Sequence, residues 1–195
     1  AVNVLPPSVK GVQFTESSIK ILNGENYTLT YSILPENAEN KNVKFSSSAP
    51  NIVSVDNNGK VTALKEGTST ITITTEDSGH TATCEVVSAE ISDFMDLRIG
   101  SSSIVSINGY ITGSVYCYIT NTSSKEISLT KFEVKDGSTG SIVLYTDEAS
   151  KLGSLKSGQS TNLGGQMRYV YLPIFTWTFT YEGKEYQVSE QYKSY

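Results

Sequence analysis

Several ingredients of chemistry are scarce in this 195-residue sequence. It holds one histidine and two cysteines, so a Ser-His-Asp triad or a Cys-His pair would have to be built on His80. Cys84 follows four positions later, and that spacing along a strand separates two side chains by about 13 Å. His80 is therefore expected to be a solvated residue of the Ser78-Gly79-His80 turn, beside a buried thiol. No HExxH, CxxC, GxSxG or phosphate-cradling glycine loop occurs. Asp56-Asn57-Asn58 lacks both the alternating acids and the distant glutamate of a calcium loop, and reads as a turn. In an extended chain the neighbouring acids Glu76-Asp77 and Asp147-Glu148 point to opposite faces, which makes them poor acid–base partners. The sequence thus implies no catalytic residue, no metal and no cofactor, and the expectation is a protein that is not an enzyme.

Charge is sparse as well. Charged residues make up 18% of the chain, the net charge is −5 and there is no basic run. This argues against nucleic acid or an anionic membrane as the main partner. Long apolar runs are missing too, so no membrane span is expected in this segment. The opening AVNVLPPSVKG has no initiator Met, basic start or apolar stretch. It reads as a mature or trimmed start. Cys84 and Cys117 sit in alternating runs of different halves, where a cysteine behaves as a small buried apolar residue. A bridge between them would have to cross the boundary between the halves with well-directed Cβ atoms.

What the sequence has in quantity is alternation by two, with almost no helical period. Tyr27, Leu29, Tyr31 and Ile33 share one face of NYTLTYSIL, and Ile71 and Ile73 point inward between threonines. Ala82, Cys84 and Val86 alternate with Thr83, Glu85 and Val87. Short strands separated by Gly, Asn, Asp and Pro turns predict an all-β sandwich over the first half. The boundary is expected at Ser88-Ala89-Glu90, with no flexible linker.

An ordered series of residues strengthens this reading. Pro35, Asn37 and Ala38 form a Pro-x-Asn-Ala turn, followed by Phe45-Ser46-Ser47, Pro50 and the strand residues Val53 and Val55. The turn Asp56 to Gly59 leads to Val61-x-Ala63, and Gly67-Thr68 opens a strand carrying Ile71 and Ile73. In this order the segment resembles the group 2 bacterial immunoglobulin-like domain of surface and adhesion proteins, departing from it at Phe45, where that family usually has Trp. The resemblance implies an immunoglobulin-like β-sandwich for the first domain, 1–88; taken with the second half, the expected fold is all-β, two tandem immunoglobulin-like β-sandwiches, 1–88 and 91–195. The resemblance also implies an extracellular or cell-surface location, with a lipid or cell-wall anchor outside this segment. Gly59 and Gly67 suit positive φ, and Asp56 can bond its own backbone, so the signature residues make the fold and none is catalytic.

The second half holds ten of the twelve tyrosines and the only Trp. Strands are expected at about 97–106, 109–121, 127–136, 141–147, 159–163, 166–172, 174–181 and 184–191. They are broken at Asn108-Gly109, Asp136-Gly137, Ser157-Gly158 and Glu182-Gly183. In a handful of turn residues this half resembles small immunoglobulin-like sandwiches of bacterial surface proteins and lipoproteins. Phe175, Trp177, Phe179 and Tyr181 share one face and should be core, opposite Val115, Cys117, Ile119, Phe132 and Val134. If Cys117, Val170 and Leu172 face inward, Tyr116, Tyr118, Tyr169 and Tyr171 face out, where they could stack on sugar rings or anchor a protein. The expected function is a non-catalytic cell-surface protein, with the first domain as stalk and the second as recognition module. Its partners would be other surface proteins or glycans. A glycan-binding module of a polysaccharide-handling system and a fimbrial-type structural subunit are the alternatives.

Overall fold

The computed structural model describes residues 7–146 and 151–193. The chain divides into two compact units, Ala1–Glu90 and Ile91–Tyr195. Both are built from strands.

The first unit runs β1 (Gly11–Phe14), β2 (Ser18–Leu22), β3 (Asn26–Thr28), β4 (Tyr31–Leu34), β5 (Val43–Ser47), β6 (Val53–Val55), β7 (Lys60–Ala63), β8 (Gly67–Thr75) and β9 (Thr81–Ala89). These form a four-stranded sheet β2-β9-β8-β5, a three-stranded sheet β3-β7-β6 and the pair β1-β4. All pairings are antiparallel except β2 with β9. Ile21, Leu29, Val53, Val61, Ala63, Ile71, Cys84 and Val86 make one buried cluster. The alternating residues of β7, β8 and β9 thus supply their inward faces to a common core, as a period of two requires. Ala38, whose amide bonds the Pro35 carbonyl, joins Val9 and Ile33 in a second cluster.

Two expectations for this unit need correction. Tyr27, Leu29, Tyr31 and Ile33 do not share a face: Leu29 and Ile33 are buried, Tyr27 and Tyr31 exposed. The segment is two strands, β3 pairing with β7 and β4 with β1, so the chain changes sheets at Leu29-Thr30 and the alternation does not carry through. His80 is half-buried rather than solvated. Its Nε2 lies 3.2 Å from the Val9 carbonyl oxygen, to which it donates, while Asp77 Oδ2 accepts the Val9 amide at 2.8 Å. The β8-β9 turn therefore clamps the backbone of Val9, and that amide holds the Asp77 carboxyl below its ordinary range.

The second unit opens with a 3-10 turn, Ile91–Phe94, then β10 (Met95–Ile107), β11 (Tyr110–Asn121), β12 (Ile127–Lys135), β13 (Ile142–Thr146), β14 (Gly153–Leu155), β15 (Ser160–Tyr171), β16 (Ile174–Tyr181) and β17 (Lys184–Gln191). Strands β10-β11-β15 form one antiparallel sheet, and β13-β12-β16-β17 the other, with β14 also on β12. The expected core residues Val115, Cys117, Ile119, Phe132, Val134, Phe175, Trp177 and Phe179 are all fully buried, and Tyr181 nearly so. Phe132 and Trp177 are cross-strand partners with ring centroids 4.5 Å apart. Such a pair adds about 1 kcal/mol beyond area burial. Burial pushes the Cys117 thiol up to about 11, and the Trp177 indole N–H tempers the rise without meeting the sulfur in a hydrogen bond. Both cysteines are free.

The expected breaks hold with two exceptions. The segments 159–163 and 166–172 are one strand, β15, because Gly164 lies against β11 and keeps the ladder continuous; a Cβ there would sit 2.1 Å from the Val115 carbonyl oxygen. Strand β14 was not legible from alternation, being only three residues long. The pair Asp147-Glu148 and the end of the expected strand 141–147 lie outside the described residues.

Two polar side chains hold the unit's turns. Asn121 is fully buried; its Nδ2 donates to the Lys125 and Leu155 carbonyls, and its Oδ1 accepts from the Ser123 amide and hydroxyl. It thereby fixes the β11-β12 turn and pins β14. Asp136 Oδ1 accepts from the amides and hydroxyls of Ser138 and Thr139, while its Oδ2 accepts the Tyr171 amide at 2.7 Å. The Ser138 hydroxyl and the Tyr171 amide are the main reasons its carboxyl lies far below the usual carboxylate range.

Asn121→Ala strands the buried Leu155 carbonyl and the buried Ser123 amide and should cost about 3 kcal/mol, read from denaturant melts. For Asp136 the folded-state pKa is depressed, so its stabilisation is fully present above the unfolded-state value of about 4 and fades as pH falls further. Thermal melts should show Asp136→Asn less stable than wild type at pH 7, with the gap narrowing progressively below pH of about 4.

Candidate functional site

The outward face of β10-β11-β15 carries the tyrosines that the sequence singles out. Along β11 the residues Ile111, Val115, Cys117 and Ile119 are buried, which turns Tyr110, Thr112, Ser114, Tyr116, Tyr118 and Thr120 to the other side. The register sets their neighbours. Thr120 lies between Asp96 and Ser160, Tyr118 between Arg98 and Asn162, Tyr116 between Gly100 and Gly164, and Tyr110 between Ile107 and Tyr171.

The four expected tyrosines share this face but do not form one cluster. Tyr116 and Tyr118 lie at one end, and Tyr169 and Tyr171 at the other, four to eight residues away along β11 and so about 13 to 26 Å distant. Their exposure differs. Tyr118 is 41% exposed and Tyr116 only half-buried. Tyr169 is 81% exposed, while Tyr171 is half-buried, with its ring edge-on to Tyr110 at 5.1 Å and against Gly109. Tyr171 is thus a support rather than an outward platform. Leu172, expected to face inward beside Val170, is itself only half-buried at the strand's end.

Tyr169 owes its exposure to a bulge. Ile111 pairs with Val170 and Gly113 with Met167, so Arg168 and Tyr169 together oppose Thr112. Tyr169 adopts φ 53° there, a left-handed conformation that costs a bulky residue about 1 to 2 kcal/mol. Val105 and Ile107 are 59% and 65% exposed, and with Asn108, Tyr110, Thr112 and Tyr169 they line a mostly apolar cleft of about 400 Å³. The Asn108-Gly109 turn, with φ of 51° and 82°, closes the β10-β11 hairpin beside it. Sequence reasoning passed over Tyr110, although the Asn-Gly turn and strict alternation already place it on the face of Tyr116 and Tyr118.

At the opposite end Asp96, Arg98, Ile99, Gly100, Tyr118, Thr120 and Ser160 line a shallower depression of about 510 Å³. Arg98 Nη2 and Nε reach Asp96 Oδ2 at 2.7 and 2.9 Å. The Thr120 and Ser160 hydroxyls are 2.8 Å apart. Among the described residues no group of three or more His, Cys, Asp or Glu could hold a metal ion, and no helix is long and apolar enough to cross a membrane.

With this geometry in place, comparison with known proteins assigns the first unit. Residues 8–86 match the bacterial Ig-like domain of group 2. An uncharacterized protein of Clostridium acetobutylicum is 43% identical over 76 residues, covering 38% of this chain and 8% of that protein. The kappa-carrageenase of Pseudoalteromonas carrageenovora is 38% identical over 72 residues, 37% of this chain and 18% of the enzyme. An alpha-L-arabinofuranosidase of Bifidobacterium longum is 35% identical over 72 residues, 37% of this chain and 7% of the enzyme. The chain therefore spans less than a fifth of these relatives' lengths. The matches fall in the first unit, and the tyrosine-bearing face lies in the second.

If Tyr169 contributes nothing to the fold, Tyr169→Gly should relieve its backbone strain and leave the melting temperature unchanged or slightly raised. A clear drop would show that the ring is structural.

Proposed function

We propose that this protein is a non-catalytic module displayed outside the bacterial cell, in which the group 2 Ig-like unit is a spacer and the second unit does the recognising. The single observation that carries the reading is how the first unit uses its signature residues. Val53, Val61, Ala63 and Ile71 are core, Asp56 Oδ1 bonds the amides of Asn58 and Lys60, and Ala38 bonds Pro35. The core and turn residues of the family pattern are thus used by the fold itself.

The relatives agree with an accessory role. The same domain type occurs in a kappa-carrageenase and in an alpha-L-arabinofuranosidase, whose names indicate different substrates, and it makes up only a small share of each. A domain shared across such differences does not set the substrate. It does link this chain with proteins named as carbohydrate-acting enzymes. By contrast, the second unit holds the outward tyrosines.

Protease added to intact cells of the producing bacterium should cleave the protein, and a membrane-impermeant amine label should modify its exposed lysines. Protection from both until the cells are lysed would count against a surface location.

A further inference from the structure

The two ends of the sheet face differ in chemistry, and the difference selects a ligand. We propose that the depression formed by Asp96, Arg98, Tyr118, Thr120 and Ser160 is a binding subsite for a neutral polysaccharide. This rests on the reading of the second unit as the recognition module.

Three features converge there. The first is an aromatic surface. The Tyr118 ring lies across Gly100, close enough that a Cβ at that position would come within 2.9 Å of ring carbon Cε2. The absence of a side chain at residue 100 lets the ring lean over β10, and at 41% exposure it offers aromatic surface on which the C–H face of a sugar ring can stack. The second is a paired donor and acceptor. Both contacts from Arg98 fall on Asp96 Oδ2, leaving Oδ1 as an acceptor and the remaining guanidinium N–H groups as donors. Vicinal hydroxyls of a sugar both give and accept hydrogen bonds, and a planar carboxylate beside a planar guanidinium answers both. The third is the Thr120-Ser160 hydroxyl pair on the far side of Asp96 in the register.

Charge narrows the class. Arg98 is compensated by Asp96 at 2.7 Å, so the depression offers no unbalanced cation to a sulfate or carboxylate. The other end of the face suits a sugar less well. Val105, Ile107, Tyr110 and Tyr169 line it, and besides the two phenol hydroxyls only Asn108 and Thr112 offer polar side chains, with no charged group among them. Hydrogen bonds to charged partners are the stronger kind. On the β15 side of Tyr116 stands Gly164, which carries no side chain, so an extended chain can continue past the Tyr118 ring on that side of β11.

The test is titration calorimetry of the full chain with soluble arabinan, xylan and mixed-linkage β-glucan, and with kappa-carrageenan as the sulfated probe. At least one neutral polymer should bind. Tyr118→Ala should weaken that binding about tenfold. Tyr118→Phe should keep it, and Gly100→Ala, which displaces the ring, should weaken it. Tyr169→Ala should leave it unchanged, and melting curves should show each variant folded. The proposal is overturned if none of the three neutral polymers binds, if Tyr118→Ala binds as wild type, or if Tyr169→Ala abolishes binding. Binding of carrageenan alone, lost at high salt, overturns it as well. Failure of the cell-surface test would leave this binding result standing, so the two readings fall separately.

Discussion

The second unit depends on one carboxylate that reaches from one sheet to the other. Asp136 follows β12 in the five-stranded sheet, and its Oδ2 takes the Tyr171 amide at the end of β15 in the three-stranded sheet. The Gly137 amide then bonds the Tyr171 carbonyl at 2.7 Å, so both backbone groups of Tyr171 are held by the same turn. Because Oδ1 is saturated by Ser138 and Thr139, the carboxylate cannot swing away without stranding four donors. A charged acceptor facing several N–H and O–H groups is the strong kind of hydrogen bonding. With Tyr171 fixed, its ring meets Tyr110 edge-on, and the bulge two residues earlier has a firm base from which to project Tyr169.

Asn121 does related work further along the sheet. Its four hydrogen bonds tie the β11-β12 turn to Leu155 of β14, and its own backbone bonds Gln159 and Gly158 just before β15. The turn residues around 121–123, at Asp136 and around 155–160 thus belong to two hydrogen-bonded hubs. They are spent on geometry. What they deliver is a firmly held outward face, and the polar groups on it are available to a ligand.

How much of this was legible follows from what each signal measures. Alternation by two reports burial, so Cys117, Ile119, Phe175, Trp177 and Phe179 were placed inward, and each is fully buried. The same rule failed over Tyr27 to Ile33, because it assumes one sheet and the chain there passes from β7 to β1 as partner. It could not register the bulge that sets Arg168 and Tyr169 side by side, since a bulge adds a residue without changing composition. His80 was misread for a similar reason: its partner, the Val9 carbonyl, is 71 residues away in sequence.

The candidate site shows the same limit more sharply. Tyr118 could be identified as outward from Cys117 alone. That it matters more than Tyr171 could not, because the distinction lies in cross-strand neighbours. Tyr171 faces Tyr110 and Gly109, which bury it, whereas Tyr118 faces Arg98 and Asn162 and leans over Gly100, which leave it open. Residues 98, 118 and 162 are distant in sequence and form one row only because β10, β11 and β15 pair in that order. The recognition chemistry of a sheet face is a property of register. A sequence without its pairing holds the letters of such a site and not their arrangement, which is why the family match explains the first unit well and leaves the second to be read from its geometry.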